Sequence, residues 1–510
     1  MTTRDEIELT EPTRAALSRS SSFASLDDKF SSRPSSLAPL PDLPSTPPPD
    51  TRSFGRRDSL APHGGAEAEE TGRRLRRLSM DEGEQGAAEL PPVDKGKGAW
   101  GFAMAGFVLE TFIWGFSYTF STILIYLQSH EPWSSSSLAA LSGIGTILLA
   151  LMFMLPIACI TLFRRYPEYV KFMLWGSAAV NCLSMLAASW ASKVWQLILL
   201  QGVLCGVSGA ILYAPVLLWL NGWFLERRGL ASGLVFSGTG FGGLVFPFVI
   251  SGLLDNYGFP TMCRAWAAIT AGVYALALVF LKPRIPLTKP RGPRTPWLTI
   301  HDFRFVREPV VLAMTATTFI SSLGYMPVSL YLPVYTTSLA SPGKATILVS
   351  MFNLAGSIGS SLTGYATDYS LTVSVAVMGL AGAVLALTAW GLASSLGAVF
   401  AFAMLFGMFS QICSCWGAAA RDAAGANPHL STMIFCVFGI FRGIASIVGP
   451  YISTSLYEEH LSDESSTYGR FGFRKVIVFV GCMSFLSAFG GPGLKWAKHV
   501  TQRRKEGMKG

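Results

Sequence analysis

Between Ala99 and Phe163 lie 65 residues that carry only two charges, Glu110 and Glu131. A soluble domain holds about one charged residue in four, and no water-facing surface can be built from so few. The whole chain repeats the pattern, with 50% hydrophobic and 14% charged residues. Runs of roughly 20 apolar residues cross a bilayer as helices, because in lipid the backbone must satisfy its own hydrogen bonds. The expected fold class is therefore all-α and integral to a membrane.

Beyond Trp100 the apolar runs divide into twelve predicted spans. Spans 5 and 6 are placed at 229–253 and 264–281, spans 8 and 9 at 344–366 and 372–393, and span 12 at 474–494. The longest connection, 282–308, is basic and broken by proline, and it falls midway. It divides the chain into an N-terminal six-helix half (99–281), a linker (282–308), a C-terminal six-helix half (309–494) and a basic tail (495–510). Lysine and arginine gather in loops on the cytoplasmic side. With the amino terminus inside, the inner connections and carboxyl tail hold 19 of them and the outer ones six, which puts both termini in the cytoplasm. Positive charge thus belongs to membrane loops, and a nucleic-acid partner is not expected.

Residues 1–98 are rich in Ser, Pro, Arg and acid and lack sustained apolar periodicity, so they read as a disordered cytoplasmic tail. Arginines precede Ser22, Ser59 and Ser79 by two or three positions. A kinase acting there would change the local charge sharply, although Arg and Ser also abound in disordered tails generally. The eight cysteines and six histidines show no framework or ligand spacing. Buried free thiols, no metal and no cofactor are expected.

Residues 221–243, NGWFLERRGLASGLVFSGTGFGG, join spans 4 and 5. The pattern aromatic-x-x-Arg-Arg-x-Leu-Ala-x-Gly resembles the monocarboxylate-transporter-like branch of the major facilitator superfamily, especially its fungal members. Trp100-Gly101 and Gly115-Phe116-Ser117-Tyr118 support the resemblance, which covers about 98–495. It implies two six-helix halves around a central cavity that opens alternately to each side. It also implies that Glu226, Arg227 and Arg228 form a gating loop, with Glu226 and Asp368 as acidic partners. Gly364-Tyr-Ala-Thr-Asp368 resembles the superfamily's Gly-x-x-x-Asp-Arg loop, but Tyr369 stands where the basic residue is expected, and Phe163–Tyr166 is a more worn copy.

Gly238 to Gly243 matches GxGxxG, but a dinucleotide site needs a preceding strand, and this segment lies in a span. Gly233, Gly238, Gly240 and Gly243 are expected instead to let helices approach closely. A charge inside the membrane usually marks a pathway. Glu110 in span 1 and Arg442 in span 11 are therefore candidates for proton coupling and for holding an anionic substrate group, or else they tie the halves together as a pair. Trp114, Tyr118, Gln201, Tyr213, Tyr325, Tyr331, Asn353 and Gln411 are the softer cavity candidates, since aromatic residues also belt membrane interfaces. The family's usual substrate charges are missing: Ser121-Thr122 and an uncharged span 8, with Ser360, stand in their place.

The expectation is a secondary transporter, not an enzyme, for a small organic solute such as a monocarboxylate or other organic anion, with a proton as the candidate coupling ion. The alternative is a transporter-fold nutrient sensor signalling through its tail. The expected location is the plasma membrane, with the vacuolar membrane as the alternative.

Overall fold

The computed structural model describes residues 91–507, apart from 225–226, 288–293, 295, 297–299, 426 and 459–466. Ser22, Ser59, Ser79 and Glu226 lie outside the described residues. Every regular element among those described is helical. In chain order these are α1 (Gly96–Tyr118), α2 (Phe120–Ser129), α3 (Leu138–Met154), α4 (Pro156–Arg165), α5 (Val170–Ala188) and α6 (Val194–Leu197). A π-helical stretch, Ile198–Leu204, leads into α7 (Cys205–Trp223), followed by α8 (Arg228–Phe280), α9 (Pro309–Thr337), α10 (Pro342–Val384) and α11 (Leu396–Phe409). The last four are α12 (Trp416–Ala424), α13 (Pro428–Leu456), α14 (Arg474–Ala488) and α15 (Gly490–Gly507).

Local chemistry starts these helices where it should. The side chains of Ser137 and Ser395 accept from the backbone N–H of Ala140 and Ala398, and Asn427 accepts from His429 and Leu430. Each satisfies donors that a helix start leaves orphaned. Proline opens α4, α9, α10 and α13, where its missing N–H costs nothing.

Among the described residues nine helices are long and apolar enough to cross a membrane, and α3 with α4 adds a pair bent by 43°. Two of the nine run 51 and 49 residues, Leu230–Phe280 and Pro342–Trp390. At 1.5 Å per residue each is more than twice the roughly 30 Å hydrocarbon thickness. Each is interrupted by one non-helical residue, Gly258 (φ 78°) in α8 and Ser370 (φ −159°) in α10. The broad gap anticipated around 254–263 is therefore a sharp corner at Gly258, whose positive φ suits a residue without Cβ. The segment from 495 onward also differs from expectation, continuing as α15 to Gly507 instead of leaving the helices as a tail.

The outside of the bundle is apolar. Val373, Val377, Leu380 and Val384 on α10 are all about half exposed or more and form a single helical stripe with no protein cover. Phe172, Trp175 and Leu183 on α5 do the same. Lipid is the solvent for such faces, and the protein is a multi-pass membrane protein.

Two seams join early and late helices. Along the first, α3 meets α13: a Cβ at Gly439 would lie 2.8 Å from the Phe153 carbonyl, and one at Gly443 would lie 2.8 Å from that of Ala150. Beyond, a Cβ at Gly143 on α3 would lie 3.2 Å from the Tyr451 hydroxyl on α13, and the Tyr331 hydroxyl on α9 donates to Ser142 Oγ on α3 at 3.5 Å. At the other end Arg164 bonds His429. Along the second seam α8 runs antiparallel to α10. Thr346 donates to Ser251 at 3.4 Å, Asn353 donates to the Gly243 carbonyl at 3.1 Å, and Gly240 sits directly against Ser357. Seven residues further, two turns along the same face of each helix, the next facing pair would be Gly233 and Gly364. A side chain added at either would meet open space. The first seam is closed over its length, whereas the second is closed at one end and splayed at the other.

Candidate functional site: a buried arginine among aromatic rings

Three helix interruptions lie beside one another. Helices α1 and α2 part at Thr119, α3 ends at Leu155, and α11 gives way to α12 through Ser410–Cys415. Irregular backbone at membrane depth persists where protein buries it or where it lines a cavity. These interruptions deliver Trp114 and Tyr118 from α1, Phe153 from α3 and Gln411, Cys413 and Trp416 from the last break.

Arg442 on α13 points into this region and is fully buried. Its Nη1 donates to Ser322 Oγ at 3.3 Å. The guanidinium lies over the Phe153 ring at 5.2 Å and the Tyr325 ring at 5.0 Å, and the Tyr118 hydroxyl and Cys413 thiol face it. Nε and Nη2 have no hydrogen-bond acceptor, and among the described residues no carboxylate pairs with the group. Taking such a charge out of water costs several kcal/mol even after relaxation, while a desolvated cation–π contact returns about 2 kcal/mol. Two rings and the hydroxyls of Ser322 and Tyr118 still leave Nε and Nη2 without an acceptor.

Glu110 on α1 is the buried acid, 2% exposed. Its Oε2 accepts from Thr239 Oγ1 on α8 at 3.0 Å, and Oε1 has no partner. It is held there by a close crossing of α1 and α8, where a Cβ at Gly115 would lie 2.6 Å from the Gly242 Cα. Glu110 and Arg442 do not pair with each other. Trp114 and Tyr118, one and two turns beyond Glu110 on the same helix, lie between them.

The model of the Major Facilitator Superfamily matches residues 102–450, most of this helical region. The chain belongs to that superfamily. Among curated relatives it is similar to the aspyridones efflux protein apdF of Emericella nidulans, 26% identical over 81% of this chain and 80% of that one. It is also similar to the fujikurins efflux protein of Gibberella fujikuroi, 27% identical over 78% and 82%. Among solved structures the nucleoside transporter NupG superposes with a TM-score of 0.59 at 13% identity, over 78% of this chain and all of that one. That likeness speaks for the fold alone. Together these place the chain among membrane transporters and not among enzymes.

Within this facilitator the predicted residues separate into groups. Trp114, Tyr118, Tyr213, Tyr325 and Gln411 gather around Arg442: Trp114 is 5.3 Å from the Tyr213 ring and 6.2 Å from that of Tyr118, and Gln411 donates to the Tyr325 hydroxyl at 3.3 Å. Asn353 and Tyr331 belong to the seams. Gln201 is elsewhere: its amide reaches the sulfurs of Met185 and Cys263, within the early helices. A Cβ at Gly238, Gly240 or Gly243 would press on a neighbour, whereas one at Gly233 would meet nothing within 4 Å. Asp368 meets Arg421 at 3.7 Å, and both are well exposed. Arg227 contributes its backbone N–H to Asp94 Oδ1 at 2.9 Å.

Phe153, Ser322, Thr239, Cys413 and Trp416 were not anticipated. An apolar run such as that around Phe153 offers no signal for one ring over its neighbours. The polar interruption Ser410-Gln-Ile-Cys-Ser-Cys415 in an otherwise apolar span was a usable signal for the last break.

Proposed function

We propose that this facilitator is a secondary transporter of a small organic anion, of the monocarboxylate-transporter-like kind, with Arg442 as the substrate's charge partner. The observation that carries the reading is the fully buried guanidinium with two nitrogens lacking acceptors. An incoming carboxylate would supply charge-assisted hydrogen bonds to donors already desolvated and oriented. The chain would cross the bilayer twelve times, with α8 and α10 each making two crossings that turn at Gly258 and Ser370. Halves 99–281 and 309–494 would rock about the closed α3–α13 seam, opening and shutting the α8–α10 seam. The splayed end is the cytoplasmic one by the distribution of basic residues. Glu110, with one free oxygen in an apolar setting, is the site for a coupled proton.

The test is uptake and efflux of radiolabelled organic acids in proteoliposomes with and without a pH gradient, using the full chain, Arg442→Gln and Glu110→Gln. Arg442→Gln should abolish saturable transport of the acid. Glu110→Gln should leave exchange intact and remove acceleration by the gradient. Transport by Arg442→Gln at the unmodified rate would defeat the proposal.

A further inference from the structure

The surroundings of Arg442 also restrict what kind of anion fits, provided the reading above holds. Two aromatic rings, those of Phe153 and Tyr325, flank the guanidinium. Trp114 packs on Phe153 at 4.6 Å and on Tyr213 at 5.3 Å, and Trp416 approaches Phe153 at 6.3 Å. With Tyr118 these five rings, Trp114, Tyr118, Tyr213, Phe153 and Trp416, come from early and late helices alike and form one connected wall, which Tyr325 faces across the guanidinium.

Two further observations point to a ligand. Trp114 Nε1 is buried with no acceptor, so the wall holds an indole N–H as well as two guanidinium nitrogens in search of electron pairs. And Arg442 is the only lysine or arginine among the buried residues described. A second carboxylate on the ligand would find no cation, which excludes dianions. Glu110 lies two helical turns, about 12 Å, from Tyr118, while an α-amino acid carries its ammonium one carbon from its carboxylate. A zwitterionic amino acid therefore cannot engage both charges.

We infer that the substrate is a flat, aromatic or conjugated monoanion, its acidic group on Arg442 and its ring plane against Phe153 and Trp114, with the indole N–H free to take a second oxygen. Aromatic faces attract ring edges and offset rings beyond what shared apolar area explains, and a saturated ring of the same size lacks that component.

The experiment compares benzoate, cinnamate, cyclohexanecarboxylate, acetate and phthalate as individual ligands of the purified full chain in nanodiscs, read by the rise in unfolding temperature with concentration. Benzoate and cinnamate should bind roughly three- to tenfold more tightly than cyclohexanecarboxylate, the size of one ring–ring contact, and phthalate should bind more weakly than benzoate. In Phe153→Leu, which keeps apolar bulk, benzoate should fall to the level of cyclohexanecarboxylate. Equal binding of benzoate and cyclohexanecarboxylate that still requires Arg442 would overturn this inference and leave the anion reading standing. Phthalate as tight as benzoate would overturn the restriction to monoanions. Failure of every acid to bind would remove the anion reading, and this inference with it. The comparison of acids on the unmodified chain decides the matter even if Phe153→Leu does not fold.

Discussion

Gly233 and Gly364 offer the sharpest test of how this transporter moves. The contacts Gly240–Ser357, Gly243–Asn353 and Ser251–Thr346 fix the antiparallel register of α8 against α10, and that register sets Gly233 opposite Gly364. Closing the splayed end would bring these two together as Gly240 and Ser357 already are. Replacing Gly364 with Leu adds a Cβ that meets nothing within 4 Å in the splayed state, so the packing cost there should be small. In the closed state it would meet α8 backbone with no side chain to displace, and overpacking of that kind costs about 1–3 kcal/mol. Gly in a helix interior is itself unfavourable by roughly 0.5–1 kcal/mol, but that gain is the same in both states and cancels. Only the difference between states shifts the balance. A bias of 1–3 kcal/mol, at 1.4 kcal/mol per factor of ten, favours the splayed state by about 5- to 150-fold. Transport that must pass through the closed state should slow by that factor while binding from the splayed side persists. A Gly233→Cys, Gly364→Cys pair gives the second readout: a short thiol cross-linker should join them in a fraction of molecules and stop turnover. Gly364→Leu turning over at the normal rate, with no cross-link in the pair, would refute the closure.

Other expectations follow from single contacts. Gly115→Ala should lower the unfolding temperature markedly, because its Cβ would stand 2.6 Å from the Gly242 backbone, which cannot rotate away; an unchanged melting curve would mean the crossing is looser than described. Asn427→Ala removes the acceptor for two backbone N–H groups at the start of α13 and should cost about 1 kcal/mol in denaturant titration. Asp368→Asn should change stability by less than about 1 kcal/mol, since its pair with Arg421 is exposed and screened; a larger loss would mean the pair is stronger than its exposure allows. Asp94→Ala leaves the Arg227 N–H without its carboxylate, and should show as faster hydrogen exchange at that amide.

Much of the fold was legible because the bilayer imposes few solutions. Long apolar runs become helices, and a basic, proline-broken linker divides them. What stayed hidden was the break inside a crossing. Thr119 and Leu155 look like any other helical residue in an apolar run, and only the tertiary setting makes them places where a helix changes direction. The site sits on those breaks, which is why Glu110 and Arg442 were visible as rare charges and Phe153 was not.

The glycines show the same limit more sharply. Gly233 and Gly240 stand seven residues apart on one face of α8, and a small residue at that spacing predicts close approach at both. One is pressed against Ser357 and the other faces open space. In this structure only part of that seam is in contact. On the proposed closure, the contact expected at Gly233 and absent here is the one the other conformation would make, and Gly233 would mark the motion. The opposite seam, where α3 and α13 stay together from Gly143 and Tyr451 to Phe153 and Gly439 and Arg164 on α4 continues it to His429, has no such departure. It is there that the halves would pivot.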